Sequence, residues 1–179
     1  WRQWRNPYPP IEQFRPEEVE AIHKTSLRVL SDIGIKILHP ESRALLIKAG
    51  MTDAGDQVIR FDPNLVMELV GKAPSEVTLH GRGPDRAATL GGNKVAICTT
   101  GGTPNFSDIK HGRRPGTLAD LDNLCRVAQA FDVIHVIGPF VEAQDIPPNL
   151  RHYAMTRSVL TLTDKVPFVF FRGQQAVAD

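Results

Sequence analysis

No apolar run in this chain approaches the ~18 residues a membrane helix needs, and no apolar stretch stands behind the opening Trp-Arg-Gln-Trp-Arg as in a secretory leader. Charge of one sign is equally scarce. Lys and Arg number 21 against 20 Asp and Glu, so a formal net charge of +1 supplies no field to gather nucleic acid or an anionic membrane. Only two cysteines occur, Cys98 and Cys125, both in apolar stretches and in no CxxC pair. That usage suits a reducing, cytoplasmic compartment better than a disulfide scaffold. Gly81-Arg82-Gly83 lacks the third glycine of a dinucleotide fingerprint, and no phosphate loop or nucleophile elbow is present. The six histidines, His23, His39, His80, His111, His135 and His152, share no local metal spacing with one another or with a cysteine. No internal repeat or low-complexity tract is visible. An initiating Met is missing too, and the final residues lead into what reads as the start of a helix, so both ends are expected to be cuts.

What the chain does have is apolar content, 41% of 179 residues, enough to bury a core. Residues 1–14 read as an arm: Trp1, Trp4, Tyr8 and Phe14 interleave with Arg2 and Arg5, and Pro7, Pro9 and Pro10 forbid a helix. Such an arm is expected to pack on its own protein or a partner subunit. A helix is predicted over 16–33. Pro16 sits at its first position, Glu17, Glu18 and Glu20 sit near its positive end, and Val19, Ile22, Val29, Leu30 and Ile33 form one apolar face before Gly34. A short strand over 35–38, a helix over 40–49 and a strand over 57–61 follow. Asp62 then caps a helix running to about residue 70. Segments 77–80 and 87–90 flank a turn cluster and read as a β-hairpin.

After Lys94 the grammar changes. Segments 95–99, 134–137 and 166–171 are strands apolar on both faces. Between them lie a loop over 103–116, a helix to about residue 131 opened by the capping-box form Thr117-Leu118-Ala119-Asp120, and a second helix over 147–162 opened by Pro147-Pro148. Strand–helix–strand–helix–strand with two-faced apolar strands means a parallel sheet covered by helices. The expected fold is therefore α/β: a partial (β/α)8 TIM-type barrel of about three β/α units at 94–179, preceded by an N-terminal arm and a helical and β-hairpin cap at 1–93. A closed barrel needs about 250 residues.

In such a barrel, chemistry sits at the C-terminal ends of the strands. There lie Gly101, Gly102, Thr103 and Asn105, with Asp108 beyond them. The two glycines let backbone approach a ligand, while Thr103 and Asn105 offer hydrogen bonds. The second loop carries Phe140, Glu142 and Asp145; the third, Phe171 and Arg172. Phe140 or Phe171 could stack on a quaternary ammonium, and Glu142 or Asp145 could face its charge. Packing under a loop and solvated acids are the plainer alternatives. Cys98 could line the site, although burial as a small apolar group is the expectation, as for Cys125. His135 reads as a satisfied core histidine and His111 as a solvated loop residue.

Trp1-Arg2-Gln3-Trp4-Arg5-Asn6-Pro7-Tyr8-Pro9-Pro10 resembles the start of many sequences of the trimethylamine methyltransferase family. Ser26–Glu41, Ala73–Arg82, Gly101–Asn105, Thr117–Leu121, Asp145–Pro148 and Thr163–Phe168 resemble that family in the same order and spacing. The resemblance implies a (β/α)8 barrel of which this chain is the N-terminal portion. It implies an enzyme that moves a methyl group from a methylamine or a quaternary amine, such as glycine betaine, to the cobalt of a corrinoid. The corrinoid would be carried by a partner protein and not by this chain, and a homo-oligomer is expected. No residue inherits a catalytic role by motif. Arg172 is a candidate to hold a betaine carboxylate. The rival reading is a non-catalytic small-molecule-binding or assembly module.

Overall fold

The computed structural model describes residues 1–9, 11–170 and 173. Two compact units emerge: Tyr8–Pro74, and Trp1–Pro7 together with the chain from Ser75 onward. Among the described residues the architecture is mixed α/β, with five α-helices and several small sheets and no closed barrel.

β1 (Trp4–Arg5) opens the chain. In the Tyr8–Pro74 unit, α1 (Pro16–Arg28) starts where predicted, and Glu18 accepts the Arg15 N–H at 2.8 Å. Its last turn widens into a π-helical turn, Val29–Ile33, where the Gly34 N–H reaches the Val29 carbonyl at 3.0 Å. Gly34 ends it with φ +82, and a Cβ there would lie 2.5 Å from the Ile59 carbonyl. The predicted apolar face is not buried: Val19, Ile22, Val29 and Ile33 are exposed among the described residues. β2 (Ile35–Lys36), β3 (Thr52–Asp53) and β4 (Val58–Arg60) form an antiparallel sheet in the order β2-β4-β3. α2 (Pro40–Lys48) and α3 (Pro63–Gly71) complete the unit, and Asp62 caps α3 by accepting the Asn64 N–H at 2.8 Å.

In the second unit, β5 (Glu76–His80) and β6 (Ala87–Gly91) form the expected hairpin. β1 does not stay irregular. It pairs antiparallel with β7 (Lys94–Val95), Trp4 against Val95, while Gln3 exchanges two hydrogen bonds with the Thr89 backbone at 2.7 and 3.0 Å. The segment expected as one strand over 95–99 thus changes partner midway. Its first residues serve the arm, and Cys98 bridges Val136 in parallel.

β8 (Asn105–Asp108) and β9 (Gly112–Pro115) make a hairpin where a loop was expected. Their Gly, Pro, Asn and Arg content carries no apolar alternation, so the strand signature is absent from the sequence. α4 (Leu118–Gln129), β10 (Val136–Ile137), α5 (Pro148–Leu162) and β11 (Val166–Pro167) follow. β10 and β11 pair in parallel, Val136 against Val166, so the segments at 98, 136 and 166 run side by side in one direction. α4 and α5 bury Leu121, Cys125, Ala128, Met155 and Val159 against Ile137, Val141 and Ala143. At roughly 25 cal/mol per Å2 of apolar surface removed from water, this cluster is the chief cohesive element of the unit.

Candidate functional site

The parallel pairing continues past the strands and carries the first two loops out together. The Thr99 hydroxyl accepts the Gly138 N–H at 2.8 Å. The Gly102 N–H donates to the Pro139 carbonyl at 3.1 Å, and the Glu142 N–H donates to the Thr103 carbonyl at 2.8 Å. The Thr103 hydroxyl donates to the Phe140 carbonyl at 2.7 Å, and Thr103 bridges Val141 in parallel. Gly101, Gly102, Thr103, Phe140 and Glu142 therefore meet at the C-terminal end of the strands. Gly102 has φ +76, and a Cβ on Gly101 would stand 2.7 Å from the Phe170 ring. A side chain at 101 would therefore have to displace that ring.

The other candidates take different places. Asn105 lies opposite Pro115 at the base of the β8–β9 hairpin. Phe140 packs on the α4–α5 core, with its ring partly buried. Glu142 sits 3.6 Å from the Arg151 guanidinium. Asp145 accepts the Leu118 N–H at 2.9 Å and so serves the start of α4. Phe171 and Arg172 lie outside the described residues. Cys98, expected to be buried, is exposed; its thiol donates to the Thr99 carbonyl at 3.2 Å, and partial burial still raises its pKa. Cys125 is buried as expected, and its thiol is pushed up to about 11 chiefly by desolvation. Below the loops, Pro139, His152, Met155, Thr156, Val169 and Phe170 line a cavity of about 10 Å3, room for one water at most.

Electrostatics concentrate at the start of α4. Thr117 caps the helix by accepting the Asp120 N–H at 3.2 Å, while the Asp120 carboxylate accepts the Thr117 N–H at 2.9 Å. Arg114 grips the same carboxylate with two nitrogens at 2.7 and 2.8 Å. This fork, together with the Thr117 hydrogen bonds, outweighs desolvation and holds the Asp120 carboxyl well below the usual carboxylate range. The capping box was legible in the sequence; the arginine that closes it was not, because it arrives from a hairpin that the composition hid.

A second cluster, at the opposite strand ends, was also missed as a group. His135 is buried, its Nδ1 accepts the Ile97 N–H at 3.1 Å, and its Nε2 therefore carries the proton donated to the Arg2 carbonyl at 2.9 Å. The Trp1 ring meets it edge-on at 4.9 Å. Lys165, 2% exposed, donates to the Ala128 carbonyl at 2.7 Å and to the Phe131 carbonyl, closing the C-terminus of α4. Burial, followed by the neighbouring Arg86, lowers its pKa. His135 is thus the satisfied core residue that was expected. Among the described residues, no three His, Cys, Asp or Glu side chains converge as metal ligands.

Parallel strands alternating with covering helices, with two loops held together at one end, define a mixed α/β protein. The sequence profile of the trimethylamine methyltransferase family matches residues 1–179, and the chain belongs to that family of methyltransferases. It is 28% identical over 164 residues to a glycine betaine methyltransferase of Desulfitobacterium hafniense strain Y51, covering 91% of this chain and 34% of the relative. A trimethylamine methyltransferase MttB of Desulfitobacterium hafniense strain DSM 10664 / DCB-2 is 29% identical over 162 residues, covering 89% and 33%. One from Methanosarcina barkeri strain Fusaro is 28% identical over 144 residues, covering 76% and 28%. The chain spans about a third of the length of the first two relatives. No helix among the described residues is long and apolar enough to cross a membrane.

Proposed function

We propose that this chain is the N-terminal portion of a cytoplasmic, homo-oligomeric methyltransferase that transfers a methyl group from a methylamine or quaternary amine, such as glycine betaine, to the cobalt of a corrinoid protein. The observation that carries the reading is the family match over residues 1–179. The parallel segments at 98, 136 and 166 support its architectural half, the first units of a (β/α)8 barrel that further strands would close.

The chemistry asks little covalent help from protein. A quaternary nitrogen already activates its methyl group as an electrophile, and the reduced corrinoid, a co-substrate here, supplies the nucleophile. The chain's own task is to hold the substrate in line and keep water out. Gly101, Gly102 and Thr103 would bring backbone close to the ligand, and Phe140 or Phe171 would present an aromatic face to the ammonium. Glu142 would balance its charge, Asn105 would donate a hydrogen bond, and Arg172 would hold a betaine carboxylate.

The test extends the polypeptide to the length of its relatives and assays cobalt methylation of a reduced corrinoid protein from glycine betaine and from trimethylamine. Methylation with one of them is the expected result, and the chain of 179 residues alone is expected to be inactive. No methylation from any tertiary or quaternary amine would overturn the assignment. Unchanged betaine affinity in an Arg172→Ala variant would remove that residue from the site.

A further inference from the structure

We propose that the cleft between α4 and α5 binds a small zwitterion carrying at least one ammonium N–H, with Asp122 taking the ammonium and Arg157 the carboxylate. The inference goes beyond the methyltransferase reading and does not depend on it: no residue lining this cleft belongs to the loops at 101–103 or 138–142.

The space comes first. Leu118 and Asp122 of α4, with Ala154, Arg157, Ser158 and Thr161 of α5, line a cavity of about 300 Å3, the size of a pocket for a very small ligand. Both helices are anchored by the buried cluster of Leu121, Cys125, Met155 and Val159. The walls are therefore set before anything binds, which spares the ligand the cost of ordering them.

The charges on those walls are unmatched. Asp122 Oδ1 is buried with no hydrogen-bond partner, and among the described residues no ion pair reaches its carboxylate. A carboxylate oxygen withdrawn from water ordinarily has a donor. Arg126 stands at the i+4 spacing that pairs opposite charges on a helix, yet it donates to the Asn123 side chain at 3.2 Å. Across the cleft, Arg157 forms no ion pair or side-chain hydrogen bond among the described residues, with Asp122 or with any other acid. The Ser158 and Thr161 hydroxyls donate to the Ala154 and Arg157 carbonyls at 3.2 and 2.7 Å, which leaves their oxygens as acceptors on the same wall.

One molecule carrying both charges answers both residues at once. A simple cation would leave Arg157 unmatched, and a simple anion would leave Asp122 without a donor. The N–H requirement follows from Asp122 and the two hydroxyl oxygens, which are acceptors. A quaternary nitrogen, sheathed in methyl groups, has no proton to give them. Amino acids, and N-methylated amino acids that keep one N–H, are the class that fits.

The experiment is isothermal titration of the 179-residue chain with glycine, N,N-dimethylglycine, glycine betaine, methylamine and acetate. Saturable one-to-one binding is expected for glycine or N,N-dimethylglycine, and binding about tenfold weaker or more for the other three. Asp122→Asn and Arg157→Gln should each weaken the bound zwitterion about tenfold or more. Arg157 makes no contact that the fold needs, so its variant should keep the wild-type melting temperature and reads binding alone. The control Arg126→Gln should bind as wild type. Absence of saturable binding by both N–H zwitterions overturns the site. So do equal affinity for glycine betaine, methylamine or acetate, wild-type binding by either cleft variant, and an equal loss in the control. Each of these leaves the methyltransferase reading to its own assay.

Discussion

Between Tyr8 and Pro74 only Met51 and Ile59 are buried among the described residues, whereas from Ser75 onward a continuous core joins α4, α5 and β10. The apolar residues of α1 recur at helical spacing as regularly as those of α4. Yet Val19, Ile22, Val29 and Ile33 stand exposed, while Leu121, Cys125 and Ala128 are removed from water. Helix formation is local, set by caps and backbone propensity; burial is not, and needs a second surface. α4 has one in α5 and the parallel strands. Among the described residues the three-stranded sheet meets the π-helical turn after α1, where the Phe61 N–H donates to the Leu30 carbonyl at 3.1 Å, and no residue of α1 itself is buried.

That contrast can be broken by substitution. The largest effect is expected at the centre of the core: Leu121→Ala should cost about 2–5 kcal/mol, read as a shift in denaturant midpoint by circular dichroism. A cost below 1 kcal/mol would mean that the α4–α5 core is loose. Next comes Gly116→Ala, whose Cβ would stand 2.0 Å from a Val141 methyl group; overpacking there should cost about 1–3 kcal/mol. Tolerance of that methyl would show that the two loops are not locked together.

A smaller effect, confined to acid, is expected at Asp120. Its pKa is depressed in the fold, so its stabilisation is fully present above the ordinary value of 3.8 and is lost as the pH falls below that toward the folded-state value. Denaturant midpoints followed from about pH 5 to about pH 2 should therefore fall more steeply in wild type than in Asp120→Asn. Parallel curves would refute the Arg114 fork as the cause. The smallest effect belongs to the other unit: Ile22→Ser should change stability by less than about 0.5 kcal/mol. A loss above 2 kcal/mol would mean that the α1 stripe is covered in solution and would erase the contrast.

Legibility followed the range of the interaction. Thr117–Asp120 and Asp62 announced their helices because a cap is written within four residues. The β5–β6 hairpin was visible because its turn cluster lies between two alternating segments. The β8–β9 hairpin was hidden because it is held by Arg114 reaching Asp120 and stacking on Phe106, a contact with no periodic signature. The division of 94–98 between an antiparallel and a parallel partner was hidden for a related reason. The first partner, Trp4–Arg5, lies some ninety positions upstream in a segment read only as an arm, whose prolines excluded a helix. Of the candidate site, the grouping of Gly101–Thr103 with Phe140 and Glu142 could be anticipated once parallel strands were inferred. The turning of Asp145 to the Leu118 N–H could not.

Composition and spacing alone were enough to set the helices, their caps and the parallel-strand expectation, since each depends on neighbours along the chain, while the family was legible only as a resemblance of short segments in order. Which strand ends meet, which arginine closes the α4 cap, that Trp1 meets His135 edge-on and that Lys165 closes the C-terminus of α4 all depended on the folded chain. Those contacts join residues far apart in sequence, and their free energy exists only once burial has brought the partners together.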